Sequence, residues 1–94
     1  MINTKGEILY QSINDSYSGT WVDLINSCPI QRISCVQVSA AGAVSIGMPE
    51  NIAYTIIVSR WSTNYWTALA LPEGVNYKTY RAYRSNNVSN WIEI

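Results

Sequence analysis

The sequence predicts an all-β fold, a small antiparallel β-sandwich or knob of short strands, stabilised by association with other copies. Three observations lead there. Val, Ile, Thr, Tyr and Trp are abundant and Phe is absent, a composition suited to pleated, half-buried surfaces. No segment carries clean helical periodicity, whereas short apolar runs alternate with turn signals about every 8–12 residues. Charge is sparse: 13% of residues are charged, against about 25% in a typical soluble domain, while 48% are hydrophobic. Ninety-four residues make one domain. A domain of this size buries only about 60–65% of the surface its unfolded chain would expose, so further support is expected.

Residues 1–19 carry weak signals and read as a linker or tether. An edge strand or short helix around "GEILYQS" is the alternative. The β-rich knob then spans 20–94. Its first expected strand is 20–26, "TWVDLIN", after the turn "DSYSG". "ISCVQVSA" (33–40) follows, and "AGAVSIG" holds a short strand near 43–47. "GMPEN" breaks it, because Pro49 lacks a ladder donor.

"IAYTIIVSR" (52–60) is the clearest strand. Ile52, Tyr54, Ile56 and Val58 share one face; Ala53, Thr55, Ile57 and Ser59 share the other. Both faces are largely apolar, which predicts a place at the centre of the sheet. "NYWTALALP" (64–72) comes next, "LPEGV" makes a turn, and "NYKTYRAYR" (76–84) pairs back across it. "RSNNVS" reads as a hairpin turn, since Asn tolerates positive φ, and "VSNWIEI" closes the sheet. On that last strand, Trp91 is expected to lie outside the protein's own core, against a neighbouring copy or sister strand. Gly19, Gly42, Gly47 and Gly74 read as turn formers.

Catalytic chemistry is hard to assemble. The chain has no His, which removes the usual general base near neutral pH and every His-dependent nucleophile arrangement. Its six carboxylates fall mostly in expected turns or at the ends, and nothing selects a pair among them. No Gly-rich phosphate loop is present. Cys28 and Cys35 have a spacing that matches no common zinc pattern and are expected reduced. The expectation is a protein that is not an enzyme, with no metal and no cofactor. No basic start followed by an apolar core marks a signal peptide, and no apolar run is long enough for a membrane helix. A product made in the cytoplasm, without membrane insertion, is expected.

The candidate binding segment is "SRWSTNYWTALALP". Aromatic rings on a polar loop suit sugars, whose apolar faces pack on rings while Asn, Ser and Arg groups bond their hydroxyls. Arg60, Trp61, Asn64 and Tyr65 are the candidate receptor surface. Trp66 is assigned to the core or an interface. Downstream, Tyr77, Arg81 and Tyr83 share one strand face, and Lys78, Tyr80 and Arg84 the other. Tyr80, Arg81, Tyr83 and Arg84 could stack nucleic-acid bases, but a net charge of zero argues against nucleic acid. Tyr80, Arg81 and Tyr83, with Trp66 and Trp91, are therefore read as structural or interface residues.

The closing segment "YRAYRSNNVSNWIEI" resembles the end of bacteriophage tail-fibre and R-type pyocin fibre knob domains. Arg81, Tyr83, the turn Ser85-Asn86-Asn87, Trp91 and the apolar stop Ile94 carry the match; Val88 stands where that ending usually has a first Trp. Upstream, Gly19, Trp21 and Pro29 in "SGTWVDLINSCPI" fit the opening of such domains. The similarity is close over 81–94 and loose over about 17–94. It implies a homotrimer at the end of a fibre shaft, exposed on a virion tail. It also implies recognition of a bacterial surface polysaccharide or protein by a domain that is not an enzyme. None of that family's receptor residues is carried over. A structural baseplate or fibre-attachment protein and a free-standing lectin-like β-domain are the alternatives.

Overall fold

A computed structural model describes residues 9–13, 19–74 and 77–94. Its centre is one seven-stranded sheet, mostly antiparallel. The strands are β1 (Leu9–Ile13), β2 (Arg32–Val38), β3 (Tyr54–Ser62), β4 (Tyr65–Pro72), β5 (Tyr80–Ser85), β6 (Asn87–Val88) and β7 (Ile92–Glu93). The order across the sheet is β1-β2-β3-β4-β5-β6, and β7 pairs with the start of β5 on the edge whose other end pairs with β6. The all-β expectation holds at that level. No second sheet is present among the described residues, and β1 lies parallel to β2. The edge-strand alternative for the N-terminal segment is thus the one realised at Leu9–Ile13.

Two short helices cover one face instead of a second sheet: α1 (Trp21–Asn26) and α2 (Ala40–Ile46). Both replace expected strands, and the reason is capping. Thr20 Oγ1 accepts from the Asp23 N–H at 3.3 Å, and Asp23 Oδ2 accepts from the Thr20 N–H at 2.9 Å. That reciprocal box satisfies donors that a helix start otherwise leaves open, and places a carboxylate at the positive end of the dipole. In α2, Ser39 Oγ accepts from the Gly42 N–H at 3.0 Å. Gly47 ends the helix at φ 78°, the left-handed geometry that glycine adopts without a Cβ penalty. Gly42 is buried inside α2 rather than in a turn.

The sheet's inner face forms the core with these helices. Leu24 and Ile25 from α1, Ala43 and Ile46 from α2, Val36 and Val38 from β2, and Tyr54, Ile56 and Val58 from β3 are all buried. Fully burying each of the larger side chains contributes about 1.5–3 kcal/mol. β3 does lie at the centre of the sheet, between β2 and β4. Only one of its faces is buried, however: Ile57 stands 36% exposed on the other. Beyond it the inner face narrows to Ala68, Ala70 and Ala82. Trp66 is also buried there, with half-buried Trp21, Tyr80 and Trp91 packed against the same core.

Trp91 corrects the expectation that it faces another copy. Its ring lies 4.7 Å from that of Trp21, which meets Trp66 edge-on at 6.4 Å. After Val88 the chain leaves the ladder for three residues and rejoins β5 at Ile92, pairing with Arg81. The break in strict alternation lets Trp91 turn onto α1.

The β4–β5 connection is longer than the expected tight turn, and β5 begins at Tyr80. Val75 and Asn76, within that expected turn and strand, lie outside the described residues. In the last hairpin Asn86 takes φ 69°, as its side chain permits. The cysteines are free, Cys28 buried and Cys35 half-buried.

Burial, then the negative field of Glu50, raises the Tyr54 hydroxyl to about 12 from its ordinary 10.0. Between those values the folded state keeps a proton that the unfolded state releases, so stability is full below pH 10 and falls as pH rises toward 12. Lys78, held protonated chiefly by its bond to Glu93, and Tyr80, raised chiefly by burial, are shifted in the same direction. Urea denaturation across this range should show a falling midpoint, and Tyr54→Phe should flatten the fall without abolishing it. An unchanged slope in the variant would assign the alkaline loss elsewhere.

Candidate functional site

The candidate site is built where the β3–β4 and β5–β6 turns meet at one end of the sheet's uncovered face. Arg60 pairs with Trp66, but the next pair is Ser62 with Tyr65, so Trp61 is the extra residue of a β-bulge. A bulge bends its strand and re-aims a side chain. Trp61 ends 70% exposed, and Tyr65 beside it 43% exposed. Trp21, Trp66 and Trp91 form the internal cluster, which leaves Trp61 as the exposed ring among the chain's four tryptophans.

The two turns are tied together. The Asn86 N–H donates to the Asn64 carbonyl at 3.0 Å, and Asn86 Nδ2 donates to the Tyr65 hydroxyl at 3.2 Å. Arg84 Nε adds a bond to the Asn86 carbonyl at 3.2 Å. The Asn86 bond fixes the Tyr65 hydroxyl while the residue stays 43% exposed. Asn64 therefore serves the site through its backbone carbonyl.

On the same face, Thr67 of β4 sits in register with Tyr83 of β5, and Leu69 with Arg81. The Arg81 guanidinium lies 5.0 Å over the Tyr83 ring. At partly exposed positions such a stack contributes about 0.5–1 kcal/mol and holds a flexible cation in place. Together these side chains line a shallow groove of about 320 Å³. Trp61, Tyr65 and Tyr83 supply aromatic surface, Ser59, Thr67 and Ser85 supply hydroxyls, and Arg81 supplies positive charge; Arg84, in register with inward-facing Trp66, borders the groove from the other face of β5 with its guanidinium bonded to the turn. Rings beside hydroxyls and guanidiniums can stack a sugar ring and bond its substituents.

Arg60 does not belong to this surface. Alternation along β3 turns it inward with Tyr54, Ile56 and Val58, and it is only 7% exposed. Its Nη1 donates to the Asn26 carbonyl at 2.6 Å and the Cys28 carbonyl at 2.7 Å, at the C-terminal end of α1. A cation there satisfies end carbonyls and the negative pole of the helix. Burial also pushes the nearby Cys28 thiol up, against the smaller opposing effects of Ser34 and Arg60.

Of the sequence-derived candidates, the structure thus brings Trp61 and Tyr65 together, uses Asn64 as a brace and removes Arg60. It adds Arg81 and Tyr83, which the sequence assigned to architecture. Their shared face was readable from alternation; their proximity to Trp61 and Tyr65 required the β4–β5 register.

Among the described residues, no three His, Cys, Asp or Glu side chains are grouped to hold a metal. No helix there is long and apolar enough to cross a membrane. Comparisons with protein-family models, curated proteins and solved structures found no match to this chain.

Arg60→Ala should destabilise the fold by about 3 kcal/mol, because two carbonyls at the helix end lose a charged donor and the stem leaves a void. Trp61→Ala should cost less than about 0.5 kcal/mol, its ring being mostly in solvent already. Urea unfolding of both variants tests the division of neighbouring residues into support and surface. Similar losses would refute it.

Proposed function

We propose that this protein is the receptor-binding tip domain of a phage tail fibre or phage-tail-like particle, and that its groove engages a bacterial surface glycan. The observation that carries the reading is the cluster of Trp61, Tyr65 and Tyr83 on one open groove, held by turn-to-turn hydrogen bonds. Exposing aromatic rings to water and bracing them in place has no benefit to the core; it suits a ligand with flat apolar faces and many hydroxyls. The resemblance of residues 81–94 to fibre knob endings supports the same reading.

Assembly as a homotrimer belongs to this proposal. Apolar side chains cross the uncovered face in register at Cys35, Ile57 and Leu69, stopping short of Arg81 in the groove. Ile57 stands 36% exposed. An apolar stripe of this kind favours contact with another copy, which would supply the second layer of a sandwich and leave the groove at the sheet end open. The same stripe would also suit a fibre-attachment protein without receptor contact, so surface binding is the deciding property.

Light scattering should return three times the chain mass, and a clean monomer would count against the fibre tip. Fluorescently labelled protein should stain intact host bacteria. Trp61→Ala and Tyr65→Ala should each reduce staining at least about ten-fold without altering the oligomer or its unfolding midpoint, an effect of roughly 1.4 kcal/mol per ring. Normal staining by both variants would remove the groove from the reading.

A further inference from the structure

The groove's charge identifies the class of glycan more narrowly, an inference that rests on the glycan-binding reading above. The four described carboxylates are all engaged elsewhere. Asp23 closes the cap of α1. Glu50 accepts from the Tyr80 hydroxyl at 3.3 Å, and Glu73 from the Thr55 hydroxyl at 2.7 Å. Glu93 pairs with Lys78 at 3.3 Å. Among the described residues no carboxylate lines the groove, whereas Arg81 does. Among the described residues, Arg81 makes no ion pair, and its guanidinium is held only over the Tyr83 ring.

Stacking over a ring occupies the face of a guanidinium and leaves its edge, where the N–H donors lie, free for an acceptor. A carboxylate or phosphate matches that edge with two parallel hydrogen bonds; a sugar hydroxyl does not. Along β5, Arg81 stands two residues from Tyr83, about 7 Å. The row of Tyr65 and Ser85 lies two residues further on. The cation and the Tyr65 ring therefore contact different points of a bound chain. A ligand that satisfies both carries an anionic substituent at one point and an exposed ring face at another.

We infer that the groove takes an acidic glycan, with Arg81 as the residue that reads the anionic group and Trp61 and Tyr65 as the stacking platform. In this role Arg81 sets specificity, and the rings set affinity for sugars in general.

The test uses the intact protein and a panel of uronate-, sialate- and phosphate-bearing oligosaccharides. Each is paired with its neutral form, methyl-esterified or dephosphorylated. Binding is read by titration calorimetry and by quenching of tryptophan emission at low and moderate salt. At least one acidic member should bind ten-fold or more tightly than its neutral partner, with a preference that shrinks as salt rises. Arg81→Gln should abolish the preference, so that the variant binds the acidic form no more tightly than it binds the neutral one; Arg81→Lys should keep part of the preference. Near-UV circular dichroism identical to the parent protein confirms that the variants are folded. Which member wins distinguishes a carboxylate from a phosphate source. Equal binding of acidic and neutral forms, or a preference untouched in Arg81→Gln, would overturn the inference. If neutral binding then still disappears in Trp61→Ala, the glycan reading survives without it. If no member binds and staining of cells is lost after protease treatment, the receptor is a protein, and both readings fail together.

Discussion

The structure depends on a shortage of covering material. The sheet holds six strands side by side, roughly 24 Å across at about 4.8 Å per strand. The helices available to cover it have six and seven residues, about 9 and 10 Å long. That is enough to shield one face over part of its width and nothing more. On the shielded face the strands can be apolar at every second position. On the other they cannot become wholly polar, because β3 and β4 still carry Ile57 and Leu69 at the sheet's centre. Among the described residues, an uncovered sheet face with an apolar stripe is therefore a consequence of the element sizes, and whatever this protein contacts, that face must be accounted for.

Arg60 shows how little attaches the covering layer. α1 has fewer than two turns, too short to be stable by its own hydrogen bonds. It is fixed at its start by Thr20 and Asp23 and at its end by a guanidinium from the central strand. Leu24 and Ile25 then reach the core at 1% and 0% exposure. The same anchor positions Trp21, onto which Trp66 and Trp91 close. Since Trp91 comes from the last residues of the described chain, the helix end, the sheet centre and the closing segment form one packed unit around Arg60 and Trp21. The bulge that follows Arg60 marks the boundary of that unit: one residue later, Trp61 is in solvent.

Strands were legible in the sequence and the short helices were not. β2, β3 and β4 lie within two residues of their expected positions, because β-branched alternation over seven to nine residues is a strong periodic signal. α1 and α2 are too short to display a helical period, and "TWVDLIN" alternates well enough to pass for a strand. The readable signals were local: Thr20 three residues before Asp23, and Ser39 before Ala40-Ala41 with Gly47 closing the run. The site was half legible. Trp61 and Tyr65 stand out as aromatics in a polar stretch, but their neighbour Arg60 is separated from them by strand alternation. Arg81 and Tyr83 join them only through pairing between strands more than ten residues apart, which no local pattern encodes.

Charge placement links the fold to its proposed ligand. A chain of zero net charge has no excess cation to spend on general attraction, so a positive groove arises only if negative groups are held elsewhere. Asp23 is used to start a helix, Glu50 and Glu93 secure the region before β5, and Glu73 bonds at the opposite end of β3 from the bulge. Each of those uses is structural and local. Their combined effect is to leave the Arg81 guanidinium, stacked over Tyr83 in the groove, without a counter-charge among the described residues. At moderate salt such a field fades within about 8–10 Å, so it acts on groups in the groove and hardly beyond it. Selection by charge would therefore operate after the rings have engaged a ligand, as discrimination between similar glycans and not as long-range capture.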